Sequence, residues 1–131
     1  MFHGVVLFLL GLLTGLIQNQ LANPRMGLAA HLEGLMNGTF ILAVGAAWSE
    51  ARMSERSAAI AYGAFLYGAY GNWLVTLISA AIGTTAMTPI AGAGHSGEQW
   101  QEFLVTAGFV SVGIAMIAGS MLLLLGFRNR T

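Results

Sequence analysis

Apolar residues run along this chain in four long blocks, broken by short polar segments. Phe2 to Ile17 is almost wholly apolar, Gly27 to Ser49 follows, then Ala58 to Gly83, then Phe103 to Phe127. Each block approaches the ~20 residues a helix needs to span a bilayer. Met1 and Gln18 lengthen the first, and its competing reading is a signal peptide. Against that reading, no basic residue precedes the run and no small-x-small cleavage site follows it closely. The pattern predicts an all-α, integral membrane four-helix bundle in one domain, with helices over about 2–19, 27–49, 57–83 and 102–127. The linkers are Gln18 to Met26, Glu50 to Ser57 and Thr84 to Glu102, the last rich in Gly and small residues (TPIAGAGHSGEQW).

Composition agrees. Of 131 residues, 56% are hydrophobic and 8% are charged, against about 25% charged in soluble domains. So few charges do not cover the surface of a water-soluble globule this small. Net charge is zero, which gives no reason to expect nucleic acid as a partner. The absence of cysteine excludes disulfides, iron–sulfur clusters and thiolate-ligated haem or zinc. Arg52, Arg56, Arg128 and Arg130 fall on one side of a four-span topology, and Arg25 on the other with Glu98 and Glu102. The excess of arginine predicts an inner (cytoplasmic) membrane protein with both termini in the cytoplasm. Trp48 and Trp100, near segment ends, read as interfacial anchors.

Polar groups inside the spans carry the candidate chemistry, because an ionisable residue in a membrane helix is costly. The second segment holds His31 and Glu33, with Asn37 one turn after Glu33; the third holds Asn72 and Thr76. On a helical wheel at about 100° per residue, Gly27, Gly34, Gly38 and Gly45 cluster beside His31. That edge is stripped of side chains, so something flat can approach the backbone. Ala61, Gly68, Asn72, Thr76, Ser79 and Gly83 make a similar small or polar stripe on the third segment. The competing reading of both stripes is plain helix–helix contact. His31 has two readings, a hydrogen bond to a neighbouring helix or ligation of a metal such as haem iron. Glu33, near its helix end, has two also: a carboxylate reaching interfacial water, or a functional acid. His3 reads as interfacial and His95 as solvated in its loop. Tyr62, Tyr67 and Tyr70 read as packing and belt residues.

Around His31 the chain reads AAHLEGLMNGTFILAVGAAW, and the third segment reads YGAYGNWLVTLI. A His, an Asn six residues on with Gly directly after it, and a second Asn 35 residues later resemble styrene oxide isomerase. That enzyme is a small four-helix membrane protein holding haem b through such a histidine, with two asparagines on the substrate side. Length and hydrophobic character resemble hydroxylaminobenzene mutase, a short relative. The resemblance spans all four helices and implies His31 as axial ligand, the metal site, with Gly34, Gly38 and Gly68 beside the cofactor. Asn37 and Asn72 then line the pocket. Two departures stand out. Styrene oxide isomerase has a Tyr four residues after the second Asn where this chain has Thr76, and a small residue where it has Glu33.

The mutase resemblance implies rearrangement of an aryl hydroxylamine such as hydroxylaminobenzene to 2-aminophenol; the mechanism expected for it has ferric haem as Lewis acid and Glu33 shuttling a proton or stabilising the cationic intermediate. It also implies a homo-oligomer, a trimer, with haem near the subunit interface. Rival readings are an epoxide-to-aldehyde isomerase and a small multidrug transporter using Glu33. A cytochrome b-type subunit and an assembly subunit without chemistry complete the set.

Overall fold

The computed structural model describes residues 1–128 and is built of four long helices, with no strand among the described residues. Helix α1 is Phe2–Ile17, α2 is Pro24–Ala47, α3 is Glu55–Ile82 and α4 is Gln99–Arg128. Short 3₁₀ turns, Gln18–Gln20 and Trp48–Glu50, extend α1 and α2. With its turn, α1 reaches 19 residues, enough for a thin crossing at ~1.5 Å per residue. Arg130 lies outside the described residues.

Three helices, α2, α3 and α4, begin earlier than hydrophobicity alone predicts, and capping residues start the first two. Asn23 precedes Pro24 at the first helical position, and its Oδ1 accepts from the Arg25 and Met26 backbone N–H groups at 3.1 and 3.2 Å. Ser54 Oγ accepts from Ser57 N–H at 3.2 Å and opens α3 three residues before Ser57. Both satisfy N–H groups that a helix start otherwise leaves orphaned. Gly83, at φ 76°, ends α3 in the left-handed conformation that glycine adopts freely.

Successive helices run antiparallel and pack in order, α1 on α2, α2 on α3 and α3 on α4. The α1–α2 contact is a glycine crossing. A Cβ on Gly38 would meet Phe8 N at 2.6 Å and Gly4 O at 2.8 Å, and one on Gly11 would meet Leu35 N at 2.7 Å. Only glycine admits backbones this close. Helix α4 is held by a narrow seam, its buried residues being Val105, Val112, Gly119 and Gly126. That is a strict seven-residue repeat, the seam of a helix touching one neighbour. The rest of α4 turns outward, with Phe103 at 70% and Ile117 at 68% exposure. Such surface is at home against lipid tails, and all four helices are long and apolar enough to cross a membrane.

The polar ends separate as expected. Arg52 N–H donates to Gly126 O at 2.9 Å, placing the α2–α3 connection beside the end of α4. At the opposite end, residues 83–98 fold over the α1–α2 turn. Asn23 Nδ2 donates to Ala91 O, Arg25 to Ala93 O, and His95 Nε2 to Ala22 O. Glu102 anchors this cap, its carboxylate accepting from the backbone N–H groups of Thr85, Ala86 and Gly97 at 2.9–3.1 Å. His95 is thus half-buried and bonded rather than solvated.

Candidate functional site

Because α2 starts at Pro24, Glu33 stands nine residues inside it, ~14 Å from its beginning at 1.5 Å per residue. It is not near a helix end. Asn37 Nδ2 donates to Glu33 Oε2 at 3.0 Å, and Asn72 Nδ2 of α3 donates to the same oxygen. One carboxyl thus gathers the amides of two helices, and Glu33 Oε1 makes no hydrogen bond among the described residues. All three side chains are half-buried. A polar knot of this kind bridges membrane helices, where no water competes for the bonds.

Thr76, one turn beyond Asn72, is buried at 4% exposure, and its hydroxyl donates to the Asn72 carbonyl at 2.8 Å. It is turned onto its own helix and supports the residue that holds Glu33.

His31 occupies the other flank of α2. Its Nδ1 lies 2.8 Å from the Gly11 carbonyl of α1. A carbonyl only accepts, so Nδ1 carries a proton, which makes Nε2 the nitrogen available as a donor to a metal. Nε2 has no hydrogen bond among the described residues. Gly15 makes room for the ring, since a Cβ there would meet His31 Nδ1 at 2.7 Å and Cε1 at 2.9 Å. An imidazole anchored at one nitrogen by a backbone carbonyl and open at the other is the arrangement metal-ligating histidines adopt. No group of three or more His, Asp or Glu side chains able to cage a metal occurs among the described residues. His31 would therefore offer a metal one nitrogen donor, which suits a metal whose other donors come from its own cofactor, such as haem iron.

The glycine edge beside His31 is a different matter. In the structure Gly34 and Gly38 face α1, against Gly11, Gly4 and Phe8, while Gly68 faces Met116 of α4. In this chain these three glycines take part in helix packing. His31 and Glu33 also fail to meet. Two residues apart on a helix, they point roughly 160° apart at ~100° per residue, one toward α1 and the other toward α3. Trp73 stands between these flanks, its Nε1 donating to the buried Thr14 hydroxyl at 3.1 Å and its ring beside Gly34.

Sequence reasoning missed three contributors. Gly11 and Gly15 of α1 form the seat of His31, and their Gly-x-x-x-Gly spacing in a Leu-rich run was a usable signal. Trp73 offered none beyond its position beside Asn72. His3 was read as interfacial, yet it pairs with Tyr70, whose hydroxyl donates to the His3 carbonyl at 3.1 Å while the ring Nδ1 lies 3.4 Å from the hydroxyl.

Comparison with known proteins gives the arrangement a family. Hydroxylaminobenzene mutase HabB of Ectopseudomonas oleovorans is 42% identical over 127 residues, covering 96% of this chain and 77% of that protein. Hydroxylaminobenzene mutase HabA of the same organism is 38% identical over 124 residues, covering 94% and 92%. No solved structure matches. The sequence profile of the styrene oxide isomerase family matches residues 1–128, the whole described chain, and this protein belongs to that family.

Proposed function

We propose that this chain is a membrane isomerase, a mutase that rearranges an aryl hydroxylamine such as hydroxylaminobenzene to 2-aminophenol. The observation that carries the reading is the near full-length identity to two proteins named hydroxylaminobenzene mutase. The carboxyl–diamide cluster at Glu33 supplies the chemistry the rearrangement needs. In that reaction oxygen leaves nitrogen and joins the ortho carbon, while one proton leaves that carbon and one reaches nitrogen. No net oxidation occurs.

Glu33 Oε1, the oxygen bonded to neither amide, is placed to take the ortho proton and return it to nitrogen. Asn37 and Asn72 fix the carboxyl by their bonds to Oε2 and orient the substrate's polar end. Thr76 holds the Asn72 turn. The apolar walls keep water from capturing the electron-poor ring. His31 would hold haem b through Nε2, and the iron would supply a Lewis acid toward the N–O group. Because His31 and Glu33 face opposite flanks of α2, we read the complete site as shared between copies of the chain, a homo-oligomer with haem near the subunit interface and a trimer as the expected number. Arg52, Arg56 and Arg128 at one end support an inner-membrane protein with cytoplasmic termini.

A second reading, an epoxide isomerase, is favoured by the family match itself. The transporter reading has less support, since two of the chain's own amides already engage Glu33. The test is an absorption spectrum of detergent-purified protein from haem-supplied cells, with a parallel assay of 2-aminophenol formed from hydroxylaminobenzene. The expected result is a Soret band lost in His31→Ala together with activity. Asn37→Ala and Asn72→Ala should keep the band and slow turnover. Full activity in His31→Ala would overturn the haem part, and no 2-aminophenol from wild type would overturn the mutase.

A further inference from the structure

A cavity of about 460 Å³ opens at the N-terminal end of α1, between α2 and α3, away from the Glu33 cluster. Its walls include Ile41, Val44, Trp48, Tyr62, Phe65 and Leu66, with the His3 side chain at its rim. The volume lies in the range of small-molecule sites, and ~150 Å³ already suffices to take benzene. Aromatic edges dominate. Trp48 and Tyr62 meet edge-to-face at 6.4 Å in the cavity wall, with Phe65 beside them. Two polar handles, the Trp48 indole N–H and the Tyr62 hydroxyl, have no hydrogen-bond partner among the described residues. The third, His3, is held in place by Tyr70.

The cavity also lies on the line to the carboxyl cluster. On α2, Glu33, Asn37, Ile41, Val44 and Trp48 share one face at helical spacing. Ile41 and Val44 stand four and seven residues beyond Asn37, ~6 and ~10 Å along the axis. On α3, Phe65 is two turns before Asn72 and only 2% exposed. Phe65 is itself a wall of the cavity, about 10 Å along the α3 axis from Asn72, the residue that bonds Glu33.

We propose that this cavity binds single-ring aromatic molecules bearing an amino, hydroxylamino or hydroxyl group, and that it is the vestibule from which they pass Phe65 to reach Glu33. The binding part rests on the cavity alone; the vestibule part rests on the mutase reading. The walls stack on a ring, and Trp48 and Tyr62 offer hydrogen bonds to its one polar substituent.

The test uses tryptophan fluorescence of the full chain in detergent, titrated with nitrobenzene, a single-ring quencher of indole emission. The expected result is saturable quenching in wild type, competed by 2-aminophenol, with the saturable component lost in Trp48→Phe. Strictly linear quenching in wild type would mean partition into the micelle and would overturn the proposal. Saturable quenching that persists undiminished in Trp48→Phe would place binding near Trp73 or Trp100 and overturn it also. For the vestibule, Val44→Phe narrows the cavity without touching Glu33, Asn37 or Asn72. It should raise KM about threefold or more with kcat near wild type. An unchanged KM, in a variant with the wild-type fold, would refute passage through this cavity. A wild type that quenches saturably but forms no 2-aminophenol would keep the binding site and sink only the mutase.

Discussion

The glycine crossing between α1 and α2 makes a prediction that the same chemical change should have opposite signs at different sites. Gly11→Ala and Gly38→Ala each place a methyl group against backbone. At Gly38 the new carbon would sit 2.6 Å from Phe8 N and 2.8 Å from Gly4 O, where ordinary contact begins at 3.4 Å. The overlap is about 0.6–0.8 Å, and backbone has no rotamer with which to yield. Helix α1 must then move as a body, at a cost of roughly 1–3 kcal/mol for overpacking. Alanine recovers ~1 kcal/mol of helix propensity, leaving a net loss of roughly 0–2 kcal/mol. At Gly63 and Gly113 the added methyl meets nothing within 4 Å among the described residues. Those replacements should be neutral or stabilising by up to ~1 kcal/mol. Thermal unfolding in one detergent, followed by helical circular dichroism, reads both sets together. The expectation is Tm lower by several degrees for Gly11→Ala and Gly38→Ala, and equal or higher for Gly63→Ala and Gly113→Ala. If the crossing pair behaved like Gly63, α1 would not pack on α2 through these glycines. The edge would then be free for the flat ligand that sequence alone suggested.

Gly15→Ala should displace the His31 ring, because the new methyl would lie 2.7 Å from Nδ1. Under the haem reading proposed above, absorbance per protein should fall severalfold although His31 itself is intact, while a full Soret band would show that the ring is seated elsewhere. Glu33→Gln keeps an acceptor for the Asn37 and Asn72 amides but removes the proton carrier. It should lower kcat by about 10²-fold or more with little change in Tm, and near wild-type turnover would remove Glu33 from the chemistry. Glu102→Ala leaves the N–H groups of Thr85, Ala86 and Gly97 without their carboxylate. Amide exchange across residues 83–98 should accelerate by about tenfold or more, for a loss of ~1.5–3 kcal/mol, and unchanged protection would mean the cap is held by its other bonds.

Much of this was legible in the sequence, for reasons that differ by feature. Four spans were visible because lipid selects for long apolar runs, and the polar set His31, Glu33, Asn37, Asn72 and Thr76 stood out against them. The helix starts were less so, since Asn23–Pro24 and Ser54 act through geometry rather than hydrophobicity. Their effect is not trivial, because the earlier start of α2 moves Glu33 from a helix end into the span. The small-residue stripes were ambiguous by nature. A glycine looks the same in sequence whether it faces a ligand or another backbone, and only the partner, here Gly4, Gly11 and Phe8, decides. The cavity was invisible, because its walls come from the N-terminal end of α1, the last turns of α2 and the first turns of α3.

Nearness in sequence misled most at His31 and Glu33. Two residues apart suggests one pocket, yet the helical repeat sends them to opposite flanks of α2, each with its own support. Gly11 and Gly15 of α1 seat the imidazole, and Asn72 of α3 reaches across to the carboxyl. The Nδ1 side of His31 is turned to α1, while Glu33 is turned to Asn72 of α3. The shared site proposed above takes its second flank from another copy. That gives a direct experiment, mixing His31→Ala and Glu33→Gln chains. Two-copy sites should regain activity in mixed oligomers, since one interface can unite an intact His31 with an intact Glu33. Single-chain sites should not, because every chain in the mixture lacks one of the two groups. Activity no higher than the sum of the separate mutants, in oligomers proven mixed by two affinity tags, would mean that the site needs both groups from one chain and would refute the shared site.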